Sequence, residues 1–347
     1  MTGDSMIKSI LVNSLMVIAS IAISLIALEF CVRLALPHYD PSGQLAFVET
    51  ADQVPLLKGP GSVQRQTKNT GDFDVEVRVN ALGLREDKNI TEAKPQDYFV
   101  IGDSYALGWG VEAEARFSNV LEKHLADRAV FNISVPTDFD GYGRLLAYAK
   151  RNGANIRNVI VSVCMENDLR LYDSQPASSN PTQVVQSSGS LQRLKNFLTQ
   201  NSAAYFFVTS VIHANPILRD LAVHLGFIIP NLEAPHLYDV HPDYVASSAR
   251  RLTNLVTGYP QAIVLIVPSR ALWVGTAEQR ALARQIHNDF VTAVHTAGLG
   301  VVDPRDLMER SGEPLAFHFK HDGHWNARGH ALAAELLAEE IQSNHAR

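Results

Sequence analysis

The chain has little cysteine and no excess of basic residues. Two cysteines occur in 347 residues, which excludes a disulfide framework and a zinc site built on paired CxxC motifs. Lys and Arg number 30 against 36 Asp and Glu, a net charge of −6, so the basic face that nucleic-acid binding requires is not provided. Hydrophobic residues make up 46% of the chain, enough for a sizeable core. The composition predicts a folded protein that does not bind nucleic acid.

The N-terminus contains one long uncharged run, residues 9–28. As a helix this run is about 30 Å long, which matches the hydrocarbon core of a bilayer. It is longer than the apolar core of a cleaved signal peptide, and no small-residue cleavage site follows it. We therefore predict an uncleaved signal anchor over residues 1–36, with a cleaved signal peptide and a buried helix as alternatives. Lys8 favours a cytoplasmic N-terminus, which predicts a single-pass, membrane-anchored protein with an extracytoplasmic body, periplasmic in a Gram-negative cell.

Residues 37–72 contain prolines and glycines without a period, a pattern typical of a linker with some local strand. From residue 73 onward, short apolar runs alternate with helical spacing. Predicted strands cover residues 73–79, 98–101, 129–133, 159–163, 262–267 and 300–302, and predicted helices cover 115–126, 142–151, 277–297 and 327–341. This alternation predicts an α/β domain over residues 73–345, a three-layer α/β/α fold with a mainly parallel, doubly wound sheet.

The alternation breaks at about residues 170–245. This stretch begins with a polar segment and continues as an amphipathic helical pattern that includes Tyr205, Phe206 and Phe207. We interpret it as an insertion in the domain that is able to cover a site. Its aromatic side chains have two interpretations, core packing and stacking on sugar rings.

A serine follows the predicted strand 98–101, in the segment Gly102-Asp103-Ser104-Tyr105. In doubly wound folds, ligands bind outside the C-terminal ends of the parallel strands, where this serine is expected. Gly102 permits a tight turn, and the backbone N–H groups after such a turn can stabilise an oxyanion. Because Gly, Asp and Ser are also common in turns, the segment by itself leaves an ordinary turn open.

Two other polar segments complement that serine. Asp322 and His324 precede the last predicted helix, and Asn167 follows the predicted strand 159–163. A serine nucleophile needs a base, and the base needs a carboxylate that fixes its tautomer. An asparagine amide can donate to a developing oxyanion. A surface loop and a helix N-cap are the alternative interpretations of these segments.

Taken together, the segments resemble the SGNH/GDSL hydrolase superfamily over residues 75–345. The similarity is most specific at residues 102–105 and at residues 322–330, which read DGHWNARGH. A single residue separates the aspartate from the histidine, where the broad superfamily usually has two. That closer spacing is similar to the branch of alginate-type polysaccharide O-acetyltransferases.

The resemblance also implies roles for individual residues. Ser104 is the expected nucleophile, and Asp322 and His324 are expected to complete the catalytic triad. The expected oxyanion hole consists of the Ser104 N–H, the Asn167 side chain and the N–H of a glycine between them. Thr137 stands where that glycine is often found, and Gly141 and Gly143 follow a few residues later. Of these two we assign the glycine's role to Gly141.

Four histidines, His318, His321, His324 and His330, lie within thirteen residues. Such crowding raises the alternative of a metal-dependent hydrolase. The segment contains Gly323 and has the pattern of a loop, so we predict no metal and no cofactor. We expect His321 and His330 to be structural or supporting groups, and Cys164 to be a small buried residue.

The predicted function is serine-dependent acyl-ester hydrolysis or transfer, on O-acetyl groups of an extracytoplasmic polysaccharide. The esterase and the O-acetyltransferase use the same triad, so the sequence leaves both open. The predicted partners are an acylated carbohydrate, the membrane and, for a transferase, a membrane acyltransferase that the resemblance suggests. The alternative function is a non-catalytic scaffold or carbohydrate-binding protein of an exopolysaccharide assembly.

Overall fold

The computed structural model describes residues 3–125, 127–172, 190–228 and 242–345. The helices are α1 (Gly3–Ala35), α2 (Ser104–Leu107), α3 (Phe117–His124), α4 (Phe139–Arg151), α5 (Ser190–Asn201), α6 (Ala203–Ala214), α7 (Pro216–His224), α8 (Pro242–Val256), α9 (Ala277–Thr296), α10 (Arg305–Arg310) and α11 (Ala327–His345). The strands are β1 (Phe47–Glu49), β2 (Pro55–Leu57), β3 (Val63–Thr67), β4 (Asp74–Arg78), β5 (Tyr98–Ile101), β6 (Val130–Asn132), β7 (Asn158–Cys164), β8 (Ile263–Val267) and β9 (Gly300–Val302).

The chain divides into two compact units. The smaller unit is built from Met1–Gln44, Asn69–Gly71 and Ser187–Phe227, and the larger unit from Leu45–Lys68, Asp72–Gln186 and Ile228–Arg347. The expected insertion at 170–245 is therefore shared between the units, since α5, α6 and α7 belong with α1, whereas α8 belongs to the larger unit.

A five-stranded parallel sheet forms the centre of the larger unit, in the order β6-β5-β7-β8-β9. Alternate side chains of each strand enter different apolar clusters. In β7, for example, Val159 and Val161 join the cluster that contains α4, α8 and α9 residues. Ile160 and Cys164 join the cluster that contains α3 and α11 residues. Both faces of the sheet are thus covered by helices, which confirms the predicted α/β/α fold.

The sequence located the main strands to within about a residue, because continuous apolar runs mark strands buried on both faces. The predicted linker, residues 37–72, contains more structure than its proline and glycine content suggests. β1 pairs with β2, and β3 pairs with β4, each pair antiparallel. Val77 and Leu57 are buried in a small apolar cluster with Leu107, so residues 45–68 form part of the larger unit.

In the smaller unit, α1 contains a segment, Leu11–Ala35, with a mean hydropathy of 2.5. It is long and apolar enough to cross a membrane, and a signal sequence near the N-terminus has the same properties. Its apolar side chains are largely exposed within the unit. The end of α1 packs against α6, with Glu29 and Arg33 forming a salt bridge one helical turn apart.

Candidate active site

Ser104 lies at the point in the sheet where the order of the strands reverses. β5 has β6 on one side and β7 on the other, so the loop after β5 opens onto the switch point where doubly wound folds bind ligands. Ser104 is the first residue of α2, and Asp103 caps that helix by accepting a hydrogen bond from the Tyr105 N–H at 2.9 Å. Gly102 makes this turn possible, since a Cβ there would lie 2.8 Å from the Ser162 Cβ of β7.

A chain of hydrogen bonds links the three predicted triad residues. The His324 Nε2 lies 2.8 Å from the Ser104 Oγ, and the His324 Nδ1 lies 2.5 Å from the Asp322 Oδ1. The Asp322 Oδ1 also accepts from the His324 backbone N–H at 2.9 Å. This geometry allows the imidazole to take a proton from the hydroxyl while the carboxylate fixes its tautomer.

The single glycine between Asp322 and His324 has a steric role. A Cβ on Gly323 would lie 2.5 Å from the Arg270 Cζ, so only glycine lets the loop pass this close. Arg270 is itself held by a buried salt bridge to Glu166, with an N–O distance of 2.8 Å. The Tyr105 hydroxyl donates to the Gly323 carbonyl at 2.6 Å. The loop is therefore fixed from two sides.

A lysine from the N-terminal part of the larger unit contacts the triad carboxylate. The Lys68 Nζ donates to the Asp322 Oδ2, on the side away from the imidazole. Burial raises the pKa of Asp322, but the hydrogen bonds and charges of His324 and Lys68 outweigh burial and hold that pKa well below its usual range. Asp322 thus stays ionised at any pH at which the site operates.

The three expected oxyanion donors differ in their surroundings. The Ser104 N–H belongs to the first turn of α2, where N–H groups have no partner within the helix. The Asn167 Nδ2 donates to the Asp103 Oδ2 at 3.0 Å, which ties Asn167 to the nucleophile's turn. The Gly141 N–H donates to the Asp138 Oδ1 at 3.1 Å as part of the N-terminal cap of α4. The assignment of Gly141 as an oxyanion donor is thus at odds with its place in this cap.

A cavity of about 390 Å³ opens beside the nucleophile. Ser104, His324, Trp109, Thr137 and Arg144 line it together with Phe47, Val48, Glu49, Pro55, Val135 and Pro136. Neither Gly141 nor Asn167 is among these residues, whereas Thr137 is, and a Cβ on Gly141 would clash with the Thr137 side chain. The residue at the family's glycine position therefore reaches the cavity itself.

Aromatic rings form one wall of this cavity. The Trp109 ring stacks on the His324 ring with centroids 5.3 Å apart, and the Phe47 ring lies nearly parallel to Trp109 at 6.4 Å. Phe47 belongs to β1, in the segment expected as a linker. A flat apolar wall of this kind suits the apolar face of a sugar ring or an acyl group.

The surroundings of the other three histidines in this segment, His318, His321 and His330, fit a structural role. Burial lowers the pKa of both His318 and His330 to about 3, so both are neutral. The His330 Nδ1 accepts from the Phe117 N–H at 3.3 Å, and the His321 Nδ1 lies 3.3 Å from Asp72. Within the described ranges, no three His, Cys, Asp or Glu side chains are grouped as metal ligands. Cys164 is buried.

Sequence reasoning brought together Ser104, Asp322 and His324 but missed Lys68 and Trp109. Neither residue lies in a motif, and Lys68 is 254 positions from its partner Asp322. A salt bridge across such a distance leaves no local signal in a single sequence.

The resemblance has support from a comparison with known protein families. Residues 255–347 match the family model of the SGNH hydrolase-like domain of acetyltransferase AlgX. No curated protein matches the chain. Over residues 255–347, this match confirms the resemblance to the SGNH/GDSL superfamily and to its alginate-type branch.

Several solved structures are similar at low sequence identity. A lipolytic protein of the G-D-S-L family from Veillonella parvula is 10% identical with a TM-score of 0.40, covering 70% of this chain and 96% of that one. A lipase/acylhydrolase from Enterococcus faecalis is 11% identical with a TM-score of 0.41, covering 72% and 97%. The acetylxylan esterase Axe2 from Geobacillus stearothermophilus is 12% identical with a TM-score of 0.39, covering 72% and 96%.

Proposed function

We propose that this protein, as an SGNH-type chain, transfers acyl groups through Ser104, acting on O-acetyl esters of an extracytoplasmic polysaccharide. One observation carries the proposal: the Ser104 Oγ, the His324 imidazole and the Asp322 carboxylate form a continuous hydrogen-bonded chain at the wall of an open cavity. If these hydrogen bonds had only a structural role, the serine hydroxyl would not need to face a cavity. The match to an acetyltransferase domain supports the choice of acetyl esters.

The reaction follows from that geometry in two steps. His324 takes the Ser104 proton as the Oγ attacks the ester carbonyl, and the resulting oxyanion accepts from the Ser104 N–H and the Asn167 amide. The C–O bond between the acetyl carbonyl and the donor's oxygen breaks, His324 protonates the departing alkoxide, and an acetyl-serine remains. An acceptor hydroxyl then gives its proton to His324 and attacks the acetyl carbonyl, and His324 returns the proton to the Ser104 Oγ as the acetyl–serine bond breaks.

The acceptor decides whether the protein is an esterase or an O-acetyltransferase. Water as the acceptor gives acetate, and a sugar hydroxyl gives a new acetyl ester. The aromatic wall of Trp109 and Phe47 supports a sugar in the cavity, since pyranose rings present apolar faces. For the transferase, a membrane acyltransferase is the proposed source of the acetyl group, and α1 is the proposed membrane anchor, with the larger unit outside the cytoplasm.

The test uses the full chain in detergent micelles with a chromogenic acetyl ester and a fluorophosphonate probe. We expect Ser104→Ala to lower the esterase rate on the order of 10⁶-fold, to background, and to abolish labelling, while the exposed-serine control Ser311→Ala leaves both unchanged. Acetyl transfer to an added oligosaccharide identifies a transferase, and acetate alone identifies an esterase. If wild type and Ser104→Ala both lack esterase activity and the probe labels neither, the proposal is contradicted and the non-catalytic scaffold is favoured.

A further inference from the structure

The helix α7 carries an unusually exposed apolar stripe. Ile217, Leu218 and Leu221 recur at helical spacing on one face of α7. Leu225 continues this spacing at the C-cap, and Phe227 lies two residues further on. We call these five residues the α7 stripe. Ile217 is 79% exposed and Phe227 is 71% exposed. A contiguous exposed apolar surface of this kind marks contact with a membrane or with another protein.

The segment that leads into α7 is attached to the long apolar helix α1. Glu29 of α1 caps α6: it accepts from the Ser202 hydroxyl at 2.8 Å and from the Ala203 and Ala204 N–H groups at 3.0 Å each. Glu29 is the first charged residue after the uncharged run 9–28. The N-terminus of α6 is therefore held at the end of the stretch that would cross the bilayer.

A second polar contact fixes the same junction. The Arg33 Nη2 donates to the Asn201 carbonyl, at the end of α5, at 2.7 Å. Arg33 also pairs with Glu29, with an N–O distance of 2.6 Å. The turn between α5 and α6 is thus anchored at two points, one helical turn apart on α1.

The composition of α6 matches this position. Ala203–Ala214 is an apolar helix of 12 residues, which is too short to span a bilayer and has a length found both in core helices and in segments that lie in the membrane interface. Val208 and Val211 are exposed on it. A helix with an exposed apolar face binds a membrane by burying that face in the boundary between headgroups and acyl chains.

We propose that Ala203–Phe227 is a second membrane-contacting element, in which α6 and the α7 stripe lie in the lipid interface beside the end of α1. The proposal rests on the membrane anchoring by α1 proposed above. A bilayer is favoured over a protein partner because Glu29 bonds the start of this segment to the end of α1, a helix whose own apolar side chains are exposed along its length. The protein then contacts the membrane through an interfacial helical hairpin as well as through its anchor.

The test places a fluorescent probe on the stripe of the full chain. Leu221→Cys is labelled with an environment-sensitive NBD maleimide in a Cys31→Ser background, where Cys164 stays buried, and the protein is reconstituted in phosphatidylcholine vesicles. The matched control is Leu282→Cys, an exposed leucine on α9 of the larger unit. Ile23→Cys in α1 reports the anchor. Phosphatidylcholine with a doxyl group near the headgroup quenches only probes at the interface.

We expect doxyl lipid to lower the Leu221 emission at least about twofold and to leave the Leu282 emission unchanged. Equal behaviour of the two positions overturns the proposal, as does blue-shifted Leu221 emission without doxyl quenching, which means contact with a second copy of the chain. Blue-shifted emission at Ile23 beside an unquenched Leu221 probe overturns this inference and leaves the anchor standing. Emission at Ile23 typical of water overturns the anchor itself. Phe227→Cys repeats the measurement outside the helix, where labelling does not perturb α7.

Discussion

Among single residues, Lys68 has the clearest effect on the candidate triad. Its ammonium contacts Asp322 on the side opposite His324. Asp322 therefore faces two positive or hydrogen-bond-donating groups, and its charge is shared between them. Lys68 touches neither the cavity nor the nucleophile, so we treat it as a positioning residue that acts through Asp322.

We predict that Lys68→Met moves the acid limb of the pH profile of kcat/KM upward by on the order of one pH unit. Without the ammonium, Asp322 presents its full charge to His324 and favours the protonated imidazole, which cannot act as a base. We also expect kcat/KM at neutral pH to fall on the order of tenfold, about 1.4 kcal/mol.

The controls for this prediction are Lys58→Met, an exposed lysine in the same unit, and Lys68→Arg, which keeps the charge. Lys58→Met should leave the profile unchanged, and Lys68→Arg should restore the position of the acid limb. A lower rate with an unmoved limb means that Lys68 supports the fold alone.

At the level of elements, the loop that carries Asp322 and His324 depends on its close approach to Arg270. We predict that Gly323→Ala lowers kcat/KM by at least about 10²-fold, because the new Cβ forces the loop or the guanidinium to move, and displacements of about 1 Å in an active site have effects of this size. The measurement is steady-state kinetics of wild type and Gly323→Ala with the chromogenic ester.

Gly143→Ala is the matched control for that loop. A Cβ on Gly143 meets only the Leu255 Cδ1, at 3.6 Å, and alanine is the better helix former in α4. This control should keep full activity and equal or higher stability. Full activity in Gly323→Ala would show that the loop adjusts without cost to the triad.

For the whole molecule, buried neutral histidines make folding depend on pH. The pKa of His330 is about 3 in the folded protein, against about 6.5 in an unfolded chain. Between these values the unfolded chain binds the extra proton, so stability is full above about pH 6.5 and decreases as the pH falls towards 3. At pH 5 the loss is about 2 kcal/mol for this residue.

We therefore predict that the thermal midpoint falls between pH 7 and pH 5, and that His330→Gln reduces this fall. His318, whose folded pKa is also about 3, contributes in the same direction, so part of the fall remains in the variant. Thermal denaturation of wild type and His330→Gln at pH 7, 6 and 5 checks the prediction. If the thermal midpoint depends on pH in the same way in the two proteins, the prediction is contradicted.

The sequence by itself determined the sheet and the polar residues at its edge. Runs such as 98–101 and 300–302 are apolar throughout because their strands are covered on both faces, and this local pattern needs no knowledge of the fold. The position of Ser104 after the strand that became β5, and of His324 before the helix that became α11, followed from the same local order.

Only the tertiary structure decided what lies beside these residues. Lys68 meets Asp322 because the β3–β4 hairpin, which begins in the expected linker, is part of the larger unit. The Gly141 N–H is engaged because Asp138 caps α4. Helices α5 to α7, expected to cover a site, belong with α1 because Glu29 and Arg33 bond to their backbone. Such contacts depend on distances between residues far apart in the chain, and local periodicity carries no record of them.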